Sequence, residues 1–231
     1  MKWSRELAVK ELMAEIRKLS QTQGVGKTFT TFLEILATSL GENLDPFFGK
    51  ERGKQYNRVV KDMTQKELSA YARMCALMYF ATKEEKVHDV LGNIFKQLNL
   101  SNEWSGQFFT PDTVSSLVAS LALKPIYKKG CIIIDDHACG TGSMLLATVD
   151  ALRKKGFDYY KHKYFFIGCD IDIRCVWMAY IQMCLYRVPA VIIHGNALTS
   201  EEWSYWVTPH ALIPIQEMEA QTKAADQKES K

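Results

Sequence analysis

Residues 135–144 read DDHACGTGSM, and three isoleucines, Ile132, Ile133 and Ile134, stand directly before them. A run of helix formers follows. Apolar run, acid, glycine loop and helix in that order predict a strand that ends in a tight turn onto a helix N-terminus. Glycines let backbone come close to a ligand, and the first turn of a helix offers N–H groups without partners. The Asp136–Gly142 turn is therefore expected to hold a small anionic or nucleoside-containing molecule.

Outward from this stretch the pattern repeats. Cys131–Asp135 reads as a strand and 143–155 as a helix ended by Gly156. Tyr164–Cys169 is a second strand, 173–187 a second helix, and Ala190–His194 a third strand. Strand–helix alternation of this kind predicts a parallel α/β sheet. Asp170 follows the second strand in FFIGCD, where an acid in a doubly wound sheet reaches the two hydroxyls of a ribose. Asn196 follows the third strand in HGNAL, and its amide can pair with an adenine edge as both donor and acceptor. All three positions fall at strand C-termini. Dinucleotide binding requires G-x-G-x-x-G, and the loop here runs Cys-Gly-Thr-Gly-Ser-Met-Leu without the third glycine. A single-nucleoside ligand is favoured over NAD.

Residues 1–105 read as helical. Leu12, Met13, Ile16 and Leu19 share one face, and Phe29, Phe32, Leu33, Leu36 and Leu40 share another. Residues 41–62 break the pattern with Gly, Pro and charge. Thr64-Gln-Lys-Glu67 is a capping box for a third helix with Leu68, Tyr71, Cys75 and Met78 inside. Val87, Leu91, Ile94, Phe95 and Leu98 mark a fourth. Thr110-Pro111 then reads as an N-cap with proline at the first helical position. The expected organisation is a helical domain over 1–105, an α/β domain over 106–215, and a polar, disordered tail over 216–231.

Composition bounds the function. The 231 residues carry a net charge of +3, with 47% hydrophobic and 24% charged residues. This is ordinary for a globular protein and neither requires nor excludes nucleic acid. No apolar run has membrane-spanning length and the N-terminus is amphipathic, not a signal peptide, so a cytoplasmic location is expected. The six cysteines (Cys75, Cys131, Cys139, Cys169, Cys175, Cys184) form no C-x-x-C pair and read as reduced core thiols. His137 and His194 lack metal-ligand spacing. Gly26-Lys27-Thr28 ends like a phosphate-binding loop, but Gln21 occupies the position of that loop's first glycine and the preceding segment is helical. A turn between helices is expected there. The basic run Lys50, Arg52, Lys54, Arg58 and Lys61 could touch phosphates, but a solvated loop is the favoured reading.

Taken together, residues 85–198 resemble the adenine-specific DNA methyltransferases of the type I restriction-modification class, the N-6 DNA methylases. DVLGNIFKQL is similar to the helix before that family's first motif, and GQFFTP (Gly106–Pro111) to the motif itself. DHACGTGSML is similar to its D-P-A-C-G-T-G loop, with His137 in place of proline. GCDID and HGNAL are similar to the two motifs that follow. The order of four motifs carries the specificity. The N-terminal helices also resemble the family's helical domain.

The resemblance implies a Rossmann-like methyltransferase domain and the cofactor S-adenosylmethionine (AdoMet). It implies Phe108, Thr110 and Pro111 at the methionine end, and Asp136, Ala138, Gly140, Thr141 and Gly142 in the loop below. Asp170 and Ile171 would hold ribose and adenine, and Asn196, Ala197 and Leu198 the far edge of the adenine. The family's chemistry uses an Asn-Pro-Pro-Tyr/Phe tetrapeptide, and residues 197–231 contain none. Trp206-Val-Thr-Pro-His210 comes nearest, with Thr208 in place of the asparagine, but threonine lacks the paired donor and acceptor of an amide. A turn after a Thr199–Glu202 capping box is the favoured reading. The expectation is thus an incomplete sheet completed by a partner subunit or a second copy, inactive alone or dependent on that partner. DNA is the expected further partner. A non-catalytic protein acting on DNA or on restriction-modification subunits is the alternative, and a small-molecule methyltransferase a third.

Overall fold

The computed structural model describes residues 3–100, 132–157, 164–212 and 215. The expected Thr110-Pro111 helix start, Cys131 and the tail over 216–231 lie outside the described residues. Five helices come first: α1 (Arg5–Gln23), α2 (Val25–Leu44), α3 (Gly49–Val60), α4 (Gln65–Thr82) and α5 (Val90–Gln97). Then follow β1 (Ile132–Asp136), α6 (Ser143–Lys154), β2 (Tyr164–Asp170), α7 (Ile173–Leu185), β3 (Ala190–Asn196) and β4 (Glu201–Val207). A 3-10 turn over Pro209–Ala211 closes the described part.

The helix ends are made as the sequence predicts. The Thr64 hydroxyl accepts from the Glu67 amide while the Glu67 carboxylate accepts from the Thr64 amide. Gly24, at φ +83°, is the single residue between α1 and α2. It turns the chain in the left-handed region that glycine favours, and Lys27 and Thr28 fall in the first turn of α2. The phosphate-loop likeness is a helix–helix turn.

The reading of residues 41–62 as a break is corrected by α3. Its glycines interrupt no helix; they let two helices approach. A Cβ on Gly41 of α2 would lie 2.7 Å from Cγ of Arg52, and one on Gly53 would lie 2.7 Å from Oε1 of Glu42. Few apolar residues mark α3, because its contact with α2 is made through these glycines and the aliphatic stem of Arg52. The basic run is consequently split. Lys50, Lys54, Arg58 and Lys61 are exposed, whereas Arg52 is buried at 8% exposure.

The sheet order is β1-β2-β3-β4. The first three strands are parallel, with Ile134 opposite Phe166, Gly168 opposite Ile192, and Asp170 opposite His194. β4 is antiparallel to β3 and pairs Val191 with Val207 and Ile192 with Trp206. This corrects the Thr199–Glu202 capping box: no helix starts there. Ser200 takes φ +58° in a tight turn, and the Thr199 hydroxyl donates to the Glu201 carboxylate within it. Trp203, Tyr205 and Val207 alternate along the following strand, so aromatic and β-branched content outweighed the local cap.

Helix α7 organises the interior. Every residue from Cys175 to Cys184 is buried, as expected of a helix enclosed all round. It packs on α2, α4 and α5 on one side and on β2, β3 and β4 on the other. One hydrophobic cluster accordingly includes Leu12, Phe29 and Met78 of the N-terminal helices with Phe166, Met178 and Ile192 of the α/β part. On the opposite face of the sheet Phe165, Val207 and Ala211 form a smaller cluster with Phe48, Ile167 and Val191 against it.

Candidate cofactor site

The C-terminal ends of β1, β2 and β3 bring together the predicted residues that the structure describes. Asp136 ends β1, and its Oδ1 accepts from the Ala138 amide at 3.2 Å. The loop then crosses the end of β2. The Cys139 amide donates to the Cys169 carbonyl at 2.9 Å, and the Gly142 amide returns to the Cys139 carbonyl at 2.8 Å. Gly140 and Gly142 take φ of +54° and +85°. A Cβ on Gly142 would also lie 3.2 Å from Cβ of Ala179 in α7. Glycine is required there both for the turn and for the closeness of the helix. Gly168 supports the same approach from β2: a Cβ would stand 3.0 Å from the Cys139 sulfur and 3.1 Å from Leu145 Cδ1.

Asp170 binds the loop and the next turn together. Its Oδ2 accepts from the Gly140 amide at 2.8 Å and its Oδ1 from the Asp172 amide at 2.9 Å. Burial raises its pKa, the two amide bonds pull it back down, and the neighbouring Asp172 and Asp136 carboxylates raise it again. Each oxygen accepts one backbone amide and keeps further lone-pair capacity. Two such acceptors at a strand end suit two adjacent hydroxyls.

Asn196 completes the row. Its Oδ1 accepts from the Leu198 amide at 3.0 Å. Ile171 is 59% exposed and Leu198 96%. Two large aliphatic side chains left in solvent beside Asp170 and Asn196 are suited to the faces of a flat ring. Ala197 is exposed between Asn196 and Leu198. Phe108, Thr110 and Pro111 lie outside the described residues.

Sequence reasoning weighed His194 only as a metal ligand and passed over Trp203 and Asp172. His194 lies in register with Asp170, and one of its ring nitrogens lies 3.2 Å from the Ile171 carbonyl. Its ring meets that of Trp203 edge-on at 4.8 Å. Trp203 sits at an irregularity in the β3–β4 ladder between His194 and Gly195, where an extra residue re-aims a side chain. Nothing in the linear pattern marks a bulge. Asp172 caps α7, accepts from the Arg174 amide at 2.9 Å and pairs with the Arg174 guanidinium at 2.6 Å.

Trp206–His210 lies at the other end of the sheet. The Thr208 hydroxyl donates to the Val188 carbonyl at 2.7 Å and accepts from the Ala190 amide at 2.9 Å. Ala190 begins β3 and Asn196 ends it, so Thr208 is about 20 Å from the Asn196 end at ~3.3 Å per residue. This segment fastens the strand's start.

Among the described residues, no group of three or more His, Cys, Asp or Glu side chains is gathered as a metal site needs. His137 is exposed, 3.2 Å from Asp135. Cys75, Cys139, Cys169, Cys175 and Cys184 are unbridged, and burial pushes the Cys184 thiol up to about 12. Among the described residues, no helix is long and apolar enough to cross a membrane.

The open α/β sheet thus sets a glycine loop after β1, an acid at the end of β2 and an amide at the end of β3 along one edge. Residues 86–222 match the N-6 DNA Methylase family, and the chain belongs to it. It is similar to the type I restriction enzyme MpnII methylase subunit of Mycoplasma pneumoniae, 31% identical over 102 residues. That match covers 42% of this chain and 18% of the relative, so the chain spans well under two thirds of that protein's length. Among solved structures it is similar to one assigned to the class I S-adenosylmethionine-dependent methyltransferases from Listeria monocytogenes. Identity is 21% and the TM-score 0.42, over 74% of this chain and 54% of that one. It is also similar to a type I restriction-modification methyltransferase subunit from Streptococcus thermophilus, at 19% identity and a TM-score of 0.37. That likeness spans 82% of this chain and 44% of the other.

Proposed function

We propose that this chain binds S-adenosylmethionine at the C-terminal ends of β1–β3 and serves methyl transfer to the exocyclic amine of adenine in DNA. The observation that carries the reading is the Asp170 carboxylate, held by the Gly140 and Asp172 amides at the end of β2. Asp170 would accept the ribose hydroxyls, Ile171 and Leu198 would flank the adenine, and Asn196 would pair with its edge. Gly140 would bring backbone close to the methionine portion, with Thr141 and Gly142 holding the loop from within, Asp136 and Ala138 shaping the turn and Ala197 beside the adenine. Phe108, Thr110 and Pro111 are proposed for the methionine end from their motif alone. Bound there, AdoMet supplies an electrophilic methyl group.

The donor set fits this molecule. It offers two acceptors for a diol, exposed aliphatic groups for a ring, and a loop in which glycine is needed at Gly142. What these 231 residues do not contain is the Asn-Pro-Pro-Tyr/Phe segment that holds the flipped base. We therefore assign the base pocket to a segment or partner outside them, and the chain by itself to cofactor binding. A second reading is favoured by the same fact. Thr208 is committed to the start of β3, so a purely binding or regulatory role on DNA or on restriction-modification subunits needs no base pocket at all.

Calorimetric titration with AdoMet of the wild-type chain and of Asp170→Ala tests the site. Micromolar binding in the first and none in the second is expected, with both proteins folded by circular dichroism. No heat in either overturns the proposal.

A further inference from the structure

We infer that Asp89, outside the ligand-facing surface, is a positioning residue that sets the glycine loop from beneath. The inference rests on the loop being a cofactor site. Asp89 caps α5 and is 3% exposed. Its Oδ1 accepts from the Gly92 amide at 2.8 Å and from Gln182 Nε2 at 3.0 Å, and its Oδ2 accepts the Thr141 hydroxyl. Gln182, wholly buried in α7, also donates to the Thr141 carbonyl at 3.1 Å and accepts from the Leu91 amide at 3.1 Å. Thr141 is thus gripped at its hydroxyl and at its carbonyl, and its side chain has no exposed surface.

The position of that grip gives it meaning. Thr141 lies between Gly140, whose amide holds Asp170, and Gly142, which turns the chain into α6. Glycines on both sides leave the loop many alternative conformations. A buried hydrogen bond to the residue between them removes most of these. The closeness is built in: a Cβ on Gly92 would lie 2.1 Å from Asp89 Oδ2 and 2.6 Å from Thr141 Oγ1. Only glycine at position 92 lets carboxylate and hydroxyl meet. The contacts run in one line from the Leu91 amide through Gln182 and Asp89 to Thr141, whose chain neighbour Gly140 holds Asp170. Coupling along it is reciprocal, so a ligand on the loop must tighten the start of α5.

Two measurements test this. In the ligand-free protein, hydrogen exchange at the Gly140 and Gly142 amides is expected to quicken about tenfold or more in Thr141→Val and in Gly92→Ala, and to stay near wild type in Thr141→Ser. In titrations, Thr141→Val and Gly92→Ala are expected to weaken AdoMet about tenfold, Thr141→Ser is expected to restore most of the affinity, and AdoMet is expected to slow exchange at Leu91 and Gly92 in the wild type. Unchanged loop exchange in both Thr141→Val and Gly92→Ala overturns the inference whether or not AdoMet binds. Failure of the wild type to bind AdoMet with the loop exchange altered overturns the cofactor reading and leaves the grip established.

Discussion

Thr208→Val separates the structural role of the Trp206–His210 segment from a role at the ligand site. Valine keeps the shape of threonine and removes only the hydroxyl. That hydroxyl is fully buried, accepting from the Ala190 amide and donating to the Val188 carbonyl, with the Ala190 carbonyl 3.2 Å away. Its loss strands a buried N–H at a cost of about 1–3 kcal/mol and removes a bond worth about 0.5–1.5 kcal/mol. The expected loss is therefore about 2–4 kcal/mol. For a chain of this size each kcal/mol lowers Tm by about 2–4 °C, which places the shift at about 5–15 °C. Thermal unfolding followed by circular dichroism measures it, and AdoMet titration at 20 °C accompanies it. Affinity is expected to be unchanged, because Thr208 adjoins the start of β3 and the site adjoins its end. An unchanged Tm with lost AdoMet binding would refute the reasoning and return this segment to the site.

Two further outcomes follow from the same geometry. Burial holds the Asp170 carboxyl above its ordinary value, so the folded protein takes up this proton at a higher pH than the unfolded chain. Ionised Asp170 therefore lowers stability above the folded pKa, and that penalty disappears as the pH falls through it. Ligand binding runs the other way: AdoMet affinity should fall as the pH drops through the raised pKa of Asp170, and Asp170→Asn, which can accept only one of the two loop amides, should bind weakly at every pH. Gly41→Val places a Cβ 2.7 Å from Arg52 Cγ; chemical denaturation should show a loss of about 1–3 kcal/mol as α2 and α3 separate.

Much of the site was legible because its residues act through backbone and position. Gly140 and Gly142 were readable as turn formers, and Asp170 and Asn196 as strand-end groups, since a parallel sheet puts successive strand ends on one side. The Thr64–Glu67 box likewise needs only local geometry. Two features escaped. Helix α3 lacks an apolar stripe because its packing uses Gly41, Gly53 and the stem of Arg52, and glycines in a linear pattern read as breaks. The strand at Glu201–Val207 carries a capping signal at its start, which pairing with β3 overrode.

The sequence by itself determined the order of strands and helices from β1 to β3, the glycine turns of the loop and the family, because these depend on periodicity and on residues a few positions apart. Only the tertiary structure decided what holds the loop. Asp89, Thr141 and Gln182 are far apart in the chain, and each is an ordinary polar residue until folding buries it. Desolvation then makes each accept the partners that packing brings, and α7 brings them together by lying between the N-terminal helices and the sheet.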